Sequence, residues 1–340
     1  MRLQALAPGR RCPAAYGYSP SVFKRPPDIA SDTLYVAGGL YGNLPALNEI
    51  ERMAALEGEA TRLVFNGDFH WFDAAADDFL AIEHKIARHT ALRGNVETEL
   101  AADDDSNGCG CAYPESVPDD DVARSNAILA RLRGAAREAE QRSTGIARRL
   151  SALPMHLVAE VAGARIGIVH GDAWSLAGWN FAHGILHDRA EDDRFAALFE
   201  RAGVDGFASS HTCLPAMRAF DTLPGDRFVV NNGAAGMANF RGTRFGVLTR
   251  IAAVPVPATL LSTRIYGADF GGLHVDALAV RFDTADWDGR FARLWPAGSD
   301  AAVSYGRRIV DGPDFSIDDA LGRTTAPSCA ALAATRSTPK

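Results

Sequence analysis

The sequence predicts an α/β fold with its functional site at one edge of a sheet, on two observations. Apolar runs alternate with helical segments as strand, helix, strand, helix, strand between residues 33 and 95, the pattern of right-handed βαβ crossovers. Four apolar runs end directly in residues able to hold a metal. LVFNGD ends in Asp68, TALRGN in Asn95, IGIVH in His170 and FASSH in His211. Open α/β sheets collect their sites at such C-terminal strand ends.

The elements follow in order. Residues 1–32, rich in Pro, Gly and Arg, read as an extended arm. TLYVAGG is the first strand, followed by a Gly-Leu-Tyr-Gly-Asn turn and the helix LPALNEIERMAALEG. That helix rests on apolar spacing at Leu44, Leu47, Ile50, Met53 and Leu56, with Gly58 as its stop. TRLVFNGD, the helix DDFLAIEHKIARH and the short strand TALRGN come next. An acidic loop over 99–121 reads as surface, although cysteines and a tyrosine in its middle are unusual for a solvated linker. A basic amphipathic helix and a second helix stopped by Pro154 form a helical insertion over 122–153. HLVAEVAGARIGIVHGD reads as a hairpin turning near Gly163. Residues 174–202 read as mainly helical, and VDGFASSHT, DRFVVNNGAAG, FGVLTRI and ALAVRF supply later strands. The main domain is therefore expected over 33–285, a C-terminal extension over 286–321 and a disordered tail over 322–340.

Composition narrows the function. The 340 residues are 47% hydrophobic and 23% charged, enough for a large core. A net charge of −7 and a pI near 5.7 argue against general nucleic-acid binding or an anionic membrane surface, both of which need clustered Lys and Arg. No apolar run approaches the roughly 20 residues of a membrane span, and the N-terminus lacks a secretory apolar core. A cytoplasmic protein is the expectation. Five cysteines, odd in number and unevenly placed, suggest reduced thiols. The close pair Cys109-Gly-Cys111 suits metal binding or buried packing better than a disulfide.

An Asp, an Asn and two His suit a divalent transition metal such as Mn, Fe or Zn. The order and flanks of these motifs resemble the calcineurin-like metallophosphoesterases, and within them the small bacterial phosphodiesterase and phosphatase branch. That family reads Asp-x-His-Gly-Asn after strand one, then Gly-Asp, then Gly-Asn-His followed by an acid, then His-Gly-Asp and Gly-His-Thr-His. This chain offers GGLYGNLPAL (38–47), NGDFHWFD (66–73), RGNVETEL (93–100), VHGD (169–172) and SSHTCLP (209–215), with VVNNGAAG (229–236) similar to a later segment. The resemblance implies a four-layer α/β/β/α sandwich of two mixed sheets. It also implies a bridging carboxylate at Asp68, with Asn95, His170 and His211 completing one metal centre. The other centre's positions fall on Gly39, Tyr41 and Cys213, and the leaving-group histidine falls on Val96, with Glu97 beside it.

Three functions compete. The first is a metal-dependent phosphoesterase acting on a small phosphorylated substrate or nucleotide. It would use one divalent metal per chain at an intact centre, with Asp68, Asn95 and Glu97 in catalytic roles. A second metal would need a remodelled centre drawing on Cys213, His70, or Cys109 and Cys111. The plain alternatives are an exposed turn for His70 and small buried side chains for the two cysteines. The second is a binding module on the same fold. There the backbone amides of the turn at Gly38, Gly39, Gly42 and Asn43 hold a phosphate, with Arg93 meeting it or forming a surface ion pair. The third, a cysteine nucleophile with Tyr41, lacks any local activating cue. Asp172 is expected either to orient His170 or to sit in a surface turn. His183 and His187 are expected on a solvated helix face, and Asn232 and Gly233 line the cleft by resemblance alone.

Overall fold

A computed structural model describes residues 7–220, 225 and 227–323. The strands are β1 (Ile29–Ser31), β2 (Thr33–Ala37), β3 (Thr61–Asn66), β4 (Thr90–Leu92), β5 (His156–Val161), β6 (Ala164–Val169), β7 (Gly206–Ser209), β8 (Ala216–Phe220), β9 (Arg227–Asn231), β10 (Gly246–Ala252), β11 (Arg264–Phe270) and β12 (Leu273–Val280). The helices are α1 (Leu44–Glu57), α2 (Ala76–Ile86), α3 (Asn95–Ala101), α4 (Asp119–Arg142), α5 (Ile146–Ala152), α6 (His183–Leu186), α7 (Asp192–Ala202), α8 (Thr284–Leu294), α9 (Asp300–Asp311) and α10 (Ile317–Ala320).

Two six-stranded mixed sheets result, ordered β1-β5-β6-β7-β9-β8 and β11-β12-β10-β2-β3-β4. β2, β3 and β4 run parallel, as do β6, β7 and β9, so each sheet presents neighbouring C-terminal strand ends. The twofold side-chain alternation of strands explains the layers. Leu34 and Val36 of β2 face inward and meet Ile166, Ile168, Phe228 and Val230 of the opposite sheet. Tyr35 and Ala37 point the other way, into a cluster with Ile50 and Met53 of α1 and Phe79 and Ile82 of α2. On the far side Phe195, Leu198 and Phe199 of α7 pack on Val158, Val169 and Phe207. The architecture is a four-layer α/β/β/α sandwich.

Several sequence expectations need correction. The N-terminal arm is built into the fold: β1 pairs in parallel with β5, and Tyr16 and Phe23 are buried. The C-terminal extension is equally part of it, because Trp287, Phe291 and Trp295 join the α1/α2 core and Phe291 packs edge-on to Phe72 at 5.2 Å. Residues 174–182 form turns rather than helix. Strands β1, β8 and β11 lie outside the runs read as strands. The expected tail lies outside the described residues from 324 onward. Among the described residues, no helix is long and apolar enough to cross a membrane.

Candidate metal centre

Asp68 follows β3, Asn95 opens α3 just after β4, His170 follows β6 and His211 lies two residues past β7. The sandwich thus brings the four side chains to one edge where the two sheets meet. All four are buried, between 1% and 6% exposed. Ligand atoms of Asp68, His170 and His211 lie within 4.8 Å of one another, and among the described residues no other cluster of three or more His, Cys, Asp or Glu does so.

Backbone strain concentrates here, as it tends to at functional sites. Five non-glycine residues among those described have positive φ, and four of them border this site: Tyr41 (57°), Asp68 (52°), Ala112 (51°) and Cys213 (60°). Gly94 is required by close approach, since a Cβ there would stand 2.3 Å from the Asp68 Oδ1.

The hydrogen bonds fix which atoms face inward. His170 Nδ1–H donates to the Asn66 carbonyl at 2.9 Å, and His211 Nε2–H donates to the Cys111 carbonyl at 3.1 Å. Asn95 Nδ2 donates to the Cys109 carbonyl at 2.9 Å, which turns its Oδ1 inward. His170 Nε2 therefore meets His211 Nδ1 at 3.1 Å, Asn95 Oδ1 at 3.1 Å and Asp68 Oδ2 at 3.4 Å. With neutral imidazoles, four acceptor atoms converge and no protein N–H or O–H stands among them. Such a set calls for a cation or a proton. Burial alone would lower His170, but the Asp68 carboxylate outweighs it and raises that ring's pKa. Burial and the neighbouring His170 push His211 down to about 3. Burial would raise Asp68, yet His170 and His211 hold it low. Two imidazoles, a carboxylate and an amide oxygen, each oriented by a second hydrogen bond, fit a divalent transition metal of borderline hardness.

The remaining sequence candidates do other work. Glu97 does not reach the cleft as a proton carrier. Its Oε2 accepts the Asp68 and Gly94 amides at 2.8 and 2.9 Å, and its Oε1 accepts those of Phe69 and His70 at 3.0 and 3.3 Å. It thereby ties the Asp68 loop to the Asn95 loop. His70 is not exposed, and it lies outside the Asp68, His170 and His211 cluster. It is fully buried, bonded to Asp73 at 2.5 Å and Glu83 at 3.2 Å, and stacked on Phe79 at 3.7 Å. Burial opposes its charge, but Asp73 and then Glu83 raise its pKa to about 9.

Cys213 Sγ lies 2.8 Å from the Tyr41 hydroxyl and 3.2 Å from its acceptor, the His211 carbonyl. Burial raises both the thiol and the phenol, so the second centre's positions hold a neutral pair. Cys109 and Cys111 are buried; their carbonyls accept from Asn95 and His211, and the Cys111 thiol adds a longer contact to Asn95 Nδ2 at 3.5 Å. The glycine-rich turn has no free nest of amides. Gly39, Tyr41, Gly42 and Asn43 donate to the carbonyls of Gly67, Asp68, Phe69 and Leu40. The Asn43 side chain caps α1 at Ala46 and donates to the Gly236 carbonyl. Arg93 turns away to the Ser151 carbonyl.

Asp172 is fully buried, accepting from Trp174, Ser175 and Asn180 rather than from His170. Asn232 binds the Gly38 and Val247 carbonyls. His183 and His187 are half-buried, the latter on the Ala320 carbonyl.

Sequence reading missed the cleft's walls. Trp71, Tyr113, Trp179 and Tyr305 border a cavity of about 30 Å³ over Asp68, Asn95 and His211. Trp179 approaches the His211 ring edge-on at 5.3 Å. These aromatics sit far apart in the chain; Trp71 falls in the NGDFHWFD motif and Tyr113 in the acidic loop, but nothing local marks either as a wall of the site.

No sequence-family model matches the chain, and no curated protein does either. Solved structures do match in fold. A metallophosphoesterase from Sphaerobacter thermophilus is 14% identical, with 83% of this chain and 99% of that one covered at a TM-score of 0.52. A hypothetical protein from Pyrococcus horikoshii is 17% identical, with 84% and 100% covered at a TM-score of 0.53. With two six-stranded mixed sheets flanked by helices and a buried Asp–His–His cluster at their edge, the chain has the metallophosphoesterase fold.

Proposed function

We propose that this protein holds one divalent transition metal (Mn, Fe or Zn) on Asp68, Asn95, His170 and His211, and hydrolyses a small phosphoester there. The observation carrying this reading is the convergence of three acceptor atoms, His211 Nδ1, Asn95 Oδ1 and Asp68 Oδ2, on a fourth, His170 Nε2, at 3.1 to 3.4 Å when both rings are neutral. When bound, a divalent cation would polarise a phosphoryl oxygen and make a water more acidic at neutral pH. The chain's own residues do the rest. Glu97 and the two carbonyl-anchored histidines hold the ligand atoms in place, and the aromatic walls exclude bulk water.

Two features predict slow turnover. Val96 carries no proton for a leaving group, and among the described residues no Lys or Arg lines the cleft to share the phosphoryl charge. Losing a second cation and a proton donor removes several kcal/mol of transition-state stabilisation, at about tenfold in rate per 1.4 kcal/mol.

A second reading, a metal- or nucleotide-holding module without turnover, is favoured by the cavity. About 30 Å³ admits roughly one water. Its nucleotide form receives no help from the glycine-rich turn, whose amides are already bonded. Hydrolysis of a generic phosphomonoester and phosphodiester by metal-loaded wild type and Asp68→Ala separates the two. Turnover that disappears in Asp68→Ala supports the enzyme. A metal-loaded protein with no turnover on either ester supports the module.

A further inference from the structure

The Cys109-Gly-Cys111 segment has no role in the reaction as described, yet it touches two of the four ligands. We infer that this segment is a positioning device for the metal site, acting through its carbonyl groups and not its thiols. This inference rests on the metal reading above.

Asn95 and His211 each have one atom facing inward and one N–H facing out. The outward N–H of Asn95 goes to the Cys109 carbonyl at 2.9 Å, and that of His211 goes to the Cys111 carbonyl at 3.1 Å. The Cys111 carbonyl also accepts Trp179 Nε1–H at 3.0 Å, which seats the indole against His211. A carbonyl acceptor fixes the tautomer of a histidine and the flip of an asparagine, so two carbonyls two residues apart set both ligand atoms. The thiols are the weaker partners: Cys111 Sγ accepts a long 3.5 Å hydrogen bond from Asn95 Nδ2, against 2.9 Å at the Cys109 carbonyl, and neither sulfur belongs to the ligand cluster.

The segment is itself held from behind. The Cys109 amide donates to Asn126 Oδ1 on α4 at 2.9 Å, and Asn126 Nδ2 donates to the Pro8 carbonyl at 3.0 Å. Gly9 donates to the Asn107 carbonyl at 2.8 Å, and Tyr113 donates to the Gly9 carbonyl at 2.9 Å. Beneath the turn, Tyr16 donates to Glu99 at 2.6 Å. Gly110 has φ of 66°, and a Cβ there would lie 2.5 Å from the Tyr16 hydroxyl and 2.9 Å from Glu99 Cγ. A larger residue there is strained by the positive φ and must displace the Tyr16 and Glu99 side chains beneath the turn. The N-terminal segment thus reaches the metal site indirectly, by bracing the loop that aims Asn95 and His211.

Cobalt(II) tests this directly, because thiolate ligation produces an intense sulfur-to-metal charge-transfer absorption and an N/O site does not. Metal-free full-length protein is titrated with Co²⁺ and followed by absorption and calorimetry. Wild type is expected to bind without a charge-transfer band. Cys109→Ala and Cys111→Ala should bind like wild type. Gly110→Ala and the milder Asn126→Ala should bind roughly tenfold to a hundredfold more weakly, the usual effect of losing a ligand's outer partner. Asn126→Ala decides the matter if Gly110→Ala does not fold. Glu57→Gln, which weakens the buried Arg250 ion pair at the far end of α1, should keep wild-type affinity.

A charge-transfer band lost in either cysteine variant overturns the inference. So does wild-type affinity in Asn126→Ala, or an equal loss in Glu57→Gln. Wild type that binds no Co²⁺ instead overturns the metal reading itself, and this inference with it.

Discussion

His170 Nε2 and His211 Nδ1 face each other at 3.1 Å, each in a ring whose other nitrogen donates to a main-chain carbonyl. Neutral rings so anchored present two lone pairs to one point, with the Asp68 carboxylate and the Asn95 amide oxygen completing the set. With both rings neutral that arrangement is unfavourable, and either a proton on His170, whose pKa Asp68 raises, or a bound cation relieves it. Replacing His211 with Ala should therefore lower metal affinity by at least about a hundredfold while leaving far-UV circular dichroism intact. Metal titration of the variant beside wild type checks it, and unchanged affinity would mean the pair faces inward for another reason.

Glu97 holds the two loops that carry Asp68 and Asn95, with four backbone amides on one carboxylate. Glu97→Gln removes two acceptor positions and puts an NH₂ group against amide donors. Unfolding free energy should fall by about 1–3 kcal/mol, and metal affinity should weaken with it. Urea denaturation of the metal-free protein measures the first and calorimetry the second. A variant as stable and as tight as wild type would remove Glu97 from the site's support.

Cys213 occupies a position where the resemblance implies a second-centre ligand, but it faces the Tyr41 hydroxyl in a buried, neutral pair. Cys213→Ser should leave the metal content at one per chain. Elemental analysis settles it, and a loss of metal in this variant would return Cys213 to the ligand set.

Sequence legibility followed the range of the interactions. Asp68, Asn95, His170 and His211 were legible because each ends its own apolar strand, and strand ends in parallel sheets converge. The partners of Glu97, His70, Asn43 and Cys109 were not legible for a common reason: whether a polar side chain meets a ligand or a backbone group depends on distant partners. Asn43 finds Gly236, and His70 finds Glu83. The arm and the C-terminal extension were placed outside the main domain over 33–285 because Tyr16 and Phe291 find their partners, Glu99 and Phe72, across the chain.

Phe291 tests that correction. It is 7% exposed and packs on Phe72 and Trp287. Phe291→Ala should destabilise the whole domain by about 3–5 kcal/mol in one cooperative transition. A separate early transition, with the rest of the protein unchanged, would show that the C-terminal helices are an independent appendage.

Glu83 gives the fold an acid-sensitive contact. Burial would raise its pKa, but hydrogen bonds from His70 and Arg149 more than offset this and hold it below the ordinary value. A depressed carboxylate contributes stability above its unfolded pKa of about 4.3, and that contribution is lost as pH falls through the lower folded value. Urea midpoints measured from pH 6 downward should therefore fall less steeply in Glu83→Gln than in wild type. Identical acid slopes would contradict the assignment.

The central claim is a single metal held by Asp68, Asn95, His170 and His211, and its stoichiometry tests it most directly. Metal-free protein is reloaded with Mn²⁺ or Zn²⁺, desalted and analysed for metal per chain, wild type beside Asp68→Ala. One metal per wild-type chain and none in the variant is the expected result. Two metals per chain, or one retained after Asp68→Ala, would contradict it.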